Sequence, residues 1–139
     1  MSLYTIYLSL MLEEYIKELE HDLKIDELNL KDYQLRLPAL KHKWSGRLIR
    51  LKSTLHILKR QRDDSKFAIT KEIDATSPVK LTSSTLSSSA DRHSRIQELN
   101  IKIQETELLI ELLEKTDKTL SSCTFDIRNL TEIMKLETT

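Results

Sequence analysis

Glycine, proline and cysteine are nearly absent from this sequence of 139 residues, and each scarcity excludes a class of protein. One glycine, Gly46, and two prolines leave almost no material for phosphate-cradling loops or tight turns. The single cysteine, Cys123, excludes an internal disulfide and fits a reducing compartment. A disulfide scaffold and a nucleotide-binding loop are therefore both excluded.

Catalytic and metal-binding motifs are also missing. The four histidines lie too far apart in sequence to predict a metal site. The sequence contains no GxxxxGKS/T, HExxH or CxxC motif and no Ser/His/Asp pattern. We therefore predict no catalytic residue, no metal and no cofactor, and we do not expect an enzyme.

The first twelve residues, MSLYTIYLSLML, are uncharged and fairly apolar. They lack a basic n-region and a small-residue cleavage site, and the stretch is too short to span a bilayer. We interpret residues 1–10 as an extension or a frayed helix start, and we predict neither export nor a membrane partner.

The residues that are abundant, Leu, Ile, Lys and Glu, are typical of long helices. Because 32% of the chain is charged, a core can consist only of narrow apolar seams. Pro38 suits the first turn of a helix and the next proline is Pro78, so we predict one helix from about Pro38 to Ile73. The predicted fold is all-α: a long helical hairpin with a short N-terminal helix.

The net charge of zero conceals a strongly basic middle. Residues 1–35 carry three bases and eight acids, residues 36–71 eleven bases and two acids, and the remainder eight bases and twelve acids. The three parts therefore have net charges of −5, +9 and −4. Such asymmetry is typical of a protein with an anionic partner.

The basic segment is predicted to bind an anionic polymer. A solvated helix face normally interleaves acids, yet no Asp or Glu occurs between Arg36 and Arg62. Trp44 either packs in the core or stacks on a base, and core packing is the preferred interpretation. The residues predicted to bind this polyanion are Lys41, Lys43, Arg47, Arg50, Lys52, Lys59, Arg60, Arg62, Lys66 and Lys71.

Two alternatives to binding of an anionic polymer remain. The chain is either a coiled-coil adaptor whose basic face meets an acidic protein, or a helix lying on anionic lipid. The lipid alternative requires a broad apolar face, whereas the stripe of Leu48, Leu51, Leu55 and Leu58 is narrow.

The rest of the chain divides at residues 74–91, which contain nine Ser or Thr residues without helical periodicity. We predict a flexible linker there. It would join residues 11–73, which hold the N-terminal helix and the basic helix, to the C-terminal helices of residues 92–139. Ser94 and Gln97 have capping-box spacing, so a helix is predicted to start there. Its predicted apolar seam is Ile96, Leu99, Ile103, Thr106, Ile110, Leu113, Asp117 and Leu120.

This seam is expected both to close an intramolecular hairpin and to pair with neighbouring subunits, because two helices alone bury little apolar surface. The predicted oligomerisation residues are Ile96, Leu99, Ile103, Ile110, Leu113, Leu120, Phe125 and Ile127.

Three segments resemble the UvsY family of T-even-like phages over about residues 11–139. They are MLEEYIKELEHDLKIDELNL (11–30), RLPALKHKW (36–44) and TFDIRNLTEIMKLET (124–138). The residues that carry the resemblance are Asp22, Ile25, Asp26, Lys43, Trp44, Phe125, Ile127 and Arg128.

The resemblance implies a non-enzymatic recombination mediator in the cytoplasm of an infected bacterial host. It would bind the phosphate backbone of single-stranded DNA through the basic residues named above, with little base readout. It would also help the phage recombinase to replace the phage single-strand-binding protein. It would form a ring-like helical oligomer, a hexamer or heptamer, through its C-terminal helices. The segment SKFAITKEIDAT departs from the family in lacking a tyrosine pair, although it keeps Lys66 and Lys71.

Overall fold

The computed structural model describes residues 3–26 and 28–138, which form four α-helices. Their bounds are α1 Leu3–Asp22, α2 Leu30–Thr76, α3 Ser83–Asp91 and α4 Ser94–Thr138. Four residues lie outside the described ranges: the first two of the predicted extension, Glu27 and Thr139. The all-α prediction is confirmed, and no helix in the described ranges is long and apolar enough to cross a bilayer.

Helices α2 and α4 pack against each other as a long antiparallel hairpin. Lys59 of α2 lies beside Glu107 of α4, and Lys52 lies beside Glu114 further along, so the two helices run in opposite directions. The apolar stripe of α2, which includes Leu37, Leu48 and Leu51, is buried against α4. Apolar burial along this one seam therefore supplies most of the driving force for folding.

Helix α1 lies along the middle of this hairpin and is joined to it by a short turn. Leu8 and Leu19 of α1 are buried in the main core with residues of α2 and α4. In the turn, the Asp26 carboxylate accepts hydrogen bonds from the backbone N–H groups of Leu28 and Asn29, both at 2.9 Å. The Asn29 side chain in turn accepts from the backbone N–H of Asp26 at 2.8 Å. This reciprocal pair reverses the chain between α1 and α2.

The prediction that the basic helix begins at Pro38 is wrong, because α2 begins at Leu30 and contains Pro38 in its interior. An interior proline costs about 3 kcal/mol through its lost hydrogen bond and its clash with the preceding turn. The extra turns bury Leu30, Tyr33 and Leu37, and each such side chain contributes about 1.5–3 kcal/mol. Burial therefore outweighs the proline penalty.

The prediction of a flexible linker is wrong over residues 83–91, which form α3. The Thr82 hydroxyl caps this helix by accepting a hydrogen bond from the backbone N–H of Thr85 at 3.2 Å. Ala90 is fully buried against Ile69 and Ile96. Capping and this apolar contact outweigh the low helix propensity of serine, and only residues 77–82 remain non-helical between α2 and α3.

The C-terminal region is one continuous helix, α4, rather than several. Its start at Ser94 is confirmed, but the capping residue is His93, whose Nδ1 accepts from the backbone N–H of Arg95 at 3.2 Å. Within the predicted seam Asp117 is wrong, because Asp117 is exposed and Thr116 is buried in its place. The buried hydroxyls of Thr106 and Thr116 donate to carbonyls of their own helix at 2.8 Å, so the seam accommodates them.

Candidate nucleic-acid interface

The ten predicted DNA-binding residues all lie on α2, and the structure divides them by their partners. Two of them, Lys43 and Arg47, are bound to α1. Lys43 donates hydrogen bonds to Glu18, at 2.8 Å, and to Asp22. Arg47 donates to the other oxygen of Glu18 at 2.6 Å. These two bases therefore fasten α1 to the hairpin.

The carboxylate at the centre of this cluster, Asp22, is only 4% exposed. It also accepts a hydrogen bond from the indole Nε1 of Trp44 at 3.0 Å, and the guanidinium of Arg36 lies 4.0 Å away. A buried carboxylate is tolerated only when cations and hydrogen-bond donors surround it. The cluster of Glu18, Asp22, Lys43 and Arg47 is called the α1 clamp below.

Ionisation of two clamp residues is shifted towards their charged forms. The pKa of Glu18 is lowered, mainly by the hydrogen bond from Arg47. Burial opposes this effect, and the hydrogen bond from Lys43 adds to it. Burial alone lowers the pKa of Lys43, but its hydrogen bonds to Asp22 and Glu18 outweigh burial and the pKa is raised. Glu18 thus stabilises the fold above its unfolded pKa of about 4.3, and this contribution is lost as the pH falls through the lower folded value.

Trp44 is 1% exposed, which confirms the preferred interpretation of this residue as a packing anchor. Its ring meets Tyr15 of α1 edge-on, with centroids 5.5 Å apart. The guanidinium of Arg47 lies 4.6 Å from the centroid of Trp44 and 5.0 Å from that of Tyr15. Trp44 is thus enclosed by α1 and is not available to stack on a base.

A second group of predicted residues forms ion pairs along the edges of the hairpin. Lys52 pairs with Glu114 at 3.3 Å, Lys59 with Glu107 at 3.7 Å and Lys66 with Asp91 at 2.9 Å. In the first two pairs both side chains are about half exposed, and such pairs contribute only about 0–1 kcal/mol. These lysines can exchange a carboxylate for a phosphate at little cost.

Arg62 and Lys41 each have a local partner. Arg62 is half-buried and pairs with its neighbour Asp63 at 3.4 Å. Lys41 is half-buried and donates to the hydroxyl of Thr124 on α4 at 3.4 Å. Neither side chain projects freely from the helix.

The remaining bases, Arg50, Arg60 and Lys71, are exposed, and none of them takes part in an ion pair among the described residues. They lie on the side of α2 turned away from α4. We call this side the outer face of α2, and its exposed residues are His42, Ile49, Arg50, Ser53, His56, Ile57, Arg60, Phe67 and Lys71. The exposed acids Asp63 and Asp64 interrupt it between Arg60 and Phe67.

Sequence reasoning missed the apolar residues of the outer face. Ile49, Ile57 and Phe67 are all more than half exposed. The Lys71 ammonium lies 4.5 Å from the centroid of the Phe67 ring, so the last base of the face is held over a phenyl ring. The sequence did contain a signal for them, because these apolar residues fall on the side of the helix opposite the leucine stripe.

The predicted oligomerisation residues are mostly used inside the chain. Seven of the eight are buried in contacts within the chain, and only Phe125 is exposed. Those seven side chains close the hairpin, so they offer no surface to a neighbouring subunit. Ile133 and Leu136, which are also exposed, follow Phe125 along the last turns of α4.

No group of three or more His, Cys, Asp or Glu side chains in the described ranges is arranged to hold a metal ion. The buried Cys123 lies 3.7 Å from the hydroxyl of Tyr33, and burial followed by this contact raises the pKa of Tyr33. Both side chains belong to the core and not to the outer face of α2.

Comparison with known proteins identifies a family and a fold. The family model described as "Recombination, repair and ssDNA binding protein UvsY" matches residues 18–139. Three crystal structures of the bacteriophage T4 recombination mediator protein UvsY, in lattice types IV, II and I, have TM-scores of 0.79, 0.79 and 0.77. They are 17%, 17% and 16% identical to this chain, and the alignments cover 91%, 92% and 89% of it and 98% of each T4 chain. No curated protein sequence matches.

Proposed function

This chain belongs to the UvsY family of recombination, repair and ssDNA-binding proteins, and from that premise we propose that it is a recombination mediator that binds single-stranded DNA along the outer face of α2. The observation that carries the proposal is the group of three exposed bases, Arg50, Arg60 and Lys71, without ion-pair partners among the described residues. Phosphate contacts release counterions, which is the main source of affinity for a single strand.

The neighbouring lysines extend this surface. Lys52 and Lys59 flank the outer face, and their half-exposed ion pairs with α4 cost little to break. In contrast, the α1 clamp holds Lys43 and Arg47 away from the strand. The proposed DNA-binding set is therefore smaller than the ten residues first predicted, and it is centred on Arg50 and Arg60.

As a mediator, the chain would help a phage recombinase to replace the single-strand-binding protein on DNA. Three exposed bases in one subunit give a weak site, and several linked subunits raise the effective concentration of each site for the same strand. Avidity of this kind allows the mediator to compete for DNA with another strand-binding protein.

The salt dependence of binding tests this function. Fluorescence polarisation with labelled oligo-dT measures the binding constant K at several salt concentrations. We expect log K to fall with log[salt] with a slope of about −2 for each bound subunit, because each of the three phosphate contacts contributes about −0.7 to the slope. An acidic peptide of equal charge should bind more weakly. A slope near zero, or a preference for the acidic peptide, would contradict the proposal and favour an adaptor.

We also propose that subunits assemble into a ring-like oligomer through the exposed apolar residues near the C-terminus of α4. Phe125, Ile133 and Leu136 are each at least half exposed, whereas the seam residues are buried within the chain. Burying such side chains between subunits removes apolar area from water.

Replacing Ile133 and Leu136 with serine should lower the native mass towards that of one subunit, because the apolar contact between subunits is lost. Native mass spectrometry at a fixed protein concentration measures this. The control is Leu108→Ser, which changes an exposed leucine in the middle of α4. An unchanged mass for the Ile133/Leu136 variant, or an equal loss in the control, would contradict this assignment.

A further inference from the structure

Phe67 is an exposed aromatic side chain on the basic helix that phosphate contacts do not explain. Its side chain is 64% exposed, and it is the one Phe, Tyr or Trp among the exposed residues of the outer face of α2, which also carries the imidazoles of His42 and His56. Trp44 is buried against α1. The outer face therefore presents one phenyl ring to solvent.

Charged residues surround this ring in a defined order along the helix. Lys71 lies one turn after Phe67, about 6 Å along the axis, and its ammonium is 4.5 Å from the ring centroid. Arg60 lies two turns before, about 10 Å along the axis. Between them are the exposed carboxylates of Asp63 and Asp64.

This order suits a nucleobase better than a phosphate at the ring. Carboxylates repel phosphate, but they accept hydrogen bonds from the N–H groups of bases, such as the N3–H of thymine. An aromatic ring offers a stacking surface to any base, and a cation at the ring adds a cation–π contribution. The arrangement thus places cations for phosphates at both ends and a surface for a base between them.

We propose that Phe67 is a base-stacking platform on which one nucleobase of single-stranded DNA rests, while the flanking phosphates contact Arg60 and Lys71. The inference deepens the proposed function and rests on it. It assigns to the outer face a contact that depends on the base and adds to the contacts that depend only on charge.

The test compares Phe67→Leu and Phe67→Trp with the unaltered protein. Phe67→Leu keeps an apolar side chain but removes the ring, so binding to oligo-dT should weaken roughly tenfold with the same salt slope. Phe67→Trp should keep the affinity, and its fluorescence should be quenched by oligo-dT but not by an abasic oligomer of equal length. The buried Trp44 supplies a constant background.

The matched control is Tyr7→Leu, which removes a ring that is 57% exposed on α1 and should leave binding unchanged. Wild-type affinity for Phe67→Leu, equal quenching by the abasic oligomer, or a changed native mass for Phe67→Leu would each overturn the inference. Failure of the unaltered protein to bind oligo-dT would instead show that the proposed function itself is wrong, and the inference would fail with it.

Discussion

Lys43→Met is expected to lower the free energy of unfolding by about 3 kcal/mol, because it leaves the buried Asp22 carboxylate without its closest cation. Removing one partner of a buried ion pair typically costs about 3–5 kcal/mol. The lower end applies here because Lys43 is about one-third exposed and Arg36 lies 4.0 Å from Asp22. Methionine retains the apolar stem of the lysine side chain, so the loss of stability comes from the missing charge. Chemical denaturation followed by circular dichroism at fixed protein concentration measures it.

The matched control is Lys52→Met, the same substitution on the same helix and in another ion pair with an acid. Lys52 and Glu114 are both about half exposed, and the expected loss is below about 1 kcal/mol. The structural assignment of Lys43 is wrong if the two variants differ in stability by less than about 0.5 kcal/mol.

The clamp also determines how stability varies with pH. Because the pKa of Glu18 is lowered in the folded state, wild-type stability should decline as the pH falls below about 4.3 and through the folded pKa. Part of this decline depends on the hydrogen bond from Lys43. The Lys43→Met protein should therefore have a shallower decline than the wild type in the same acid range.

Much of the fold could be predicted from the sequence because its signals are local and periodic. The leucine spacing of the basic segment and the 3,4 repeat from Ile96 to Leu120 predicted two long helices, and the structure pairs them as a hairpin. The errors occurred where packing overrode a local preference. Pro38 is tolerated inside α2, and serine-rich residues 83–91 form a helix that buries Ala90.

The candidate site was harder to predict, because a sequence supplies charges without their partners. Lys43 and Arg47 lie in the most basic stretch, yet Glu18 and Asp22, more than twenty positions earlier, fold back onto them. Lys52 and Lys59 meet acids of α4 that are distant in sequence. Net charge therefore overstated the positive surface that is not engaged in ion pairs. From the sequence, the three bases without ion-pair partners among the described residues were indistinguishable from the other seven.

Replacing Arg50, Arg60 and Lys71 with alanine should weaken binding to short oligo-dT about 100-fold at roughly 0.1 M salt. Each phosphate contact contributes about 0.7 to the salt slope, which corresponds to about fivefold in affinity between 1 M and 0.1 M salt. Three contacts together give about 100-fold, and the slope should become shallower by about 2. All three side chains are exposed, so the folded state should persist.

The control for this variant replaces Lys115, Lys118 and Lys135 of α4 with alanine, which removes the same total charge from another exposed surface. Long-range attraction of DNA depends on total charge and would weaken binding equally in both variants. Direct contact at the outer face of α2 predicts that the α4 variant keeps an affinity within about threefold of the wild type and an unchanged salt slope. Equal losses in the two variants would mean that the chain attracts DNA through its overall charge and that the outer face of α2 is not the binding surface.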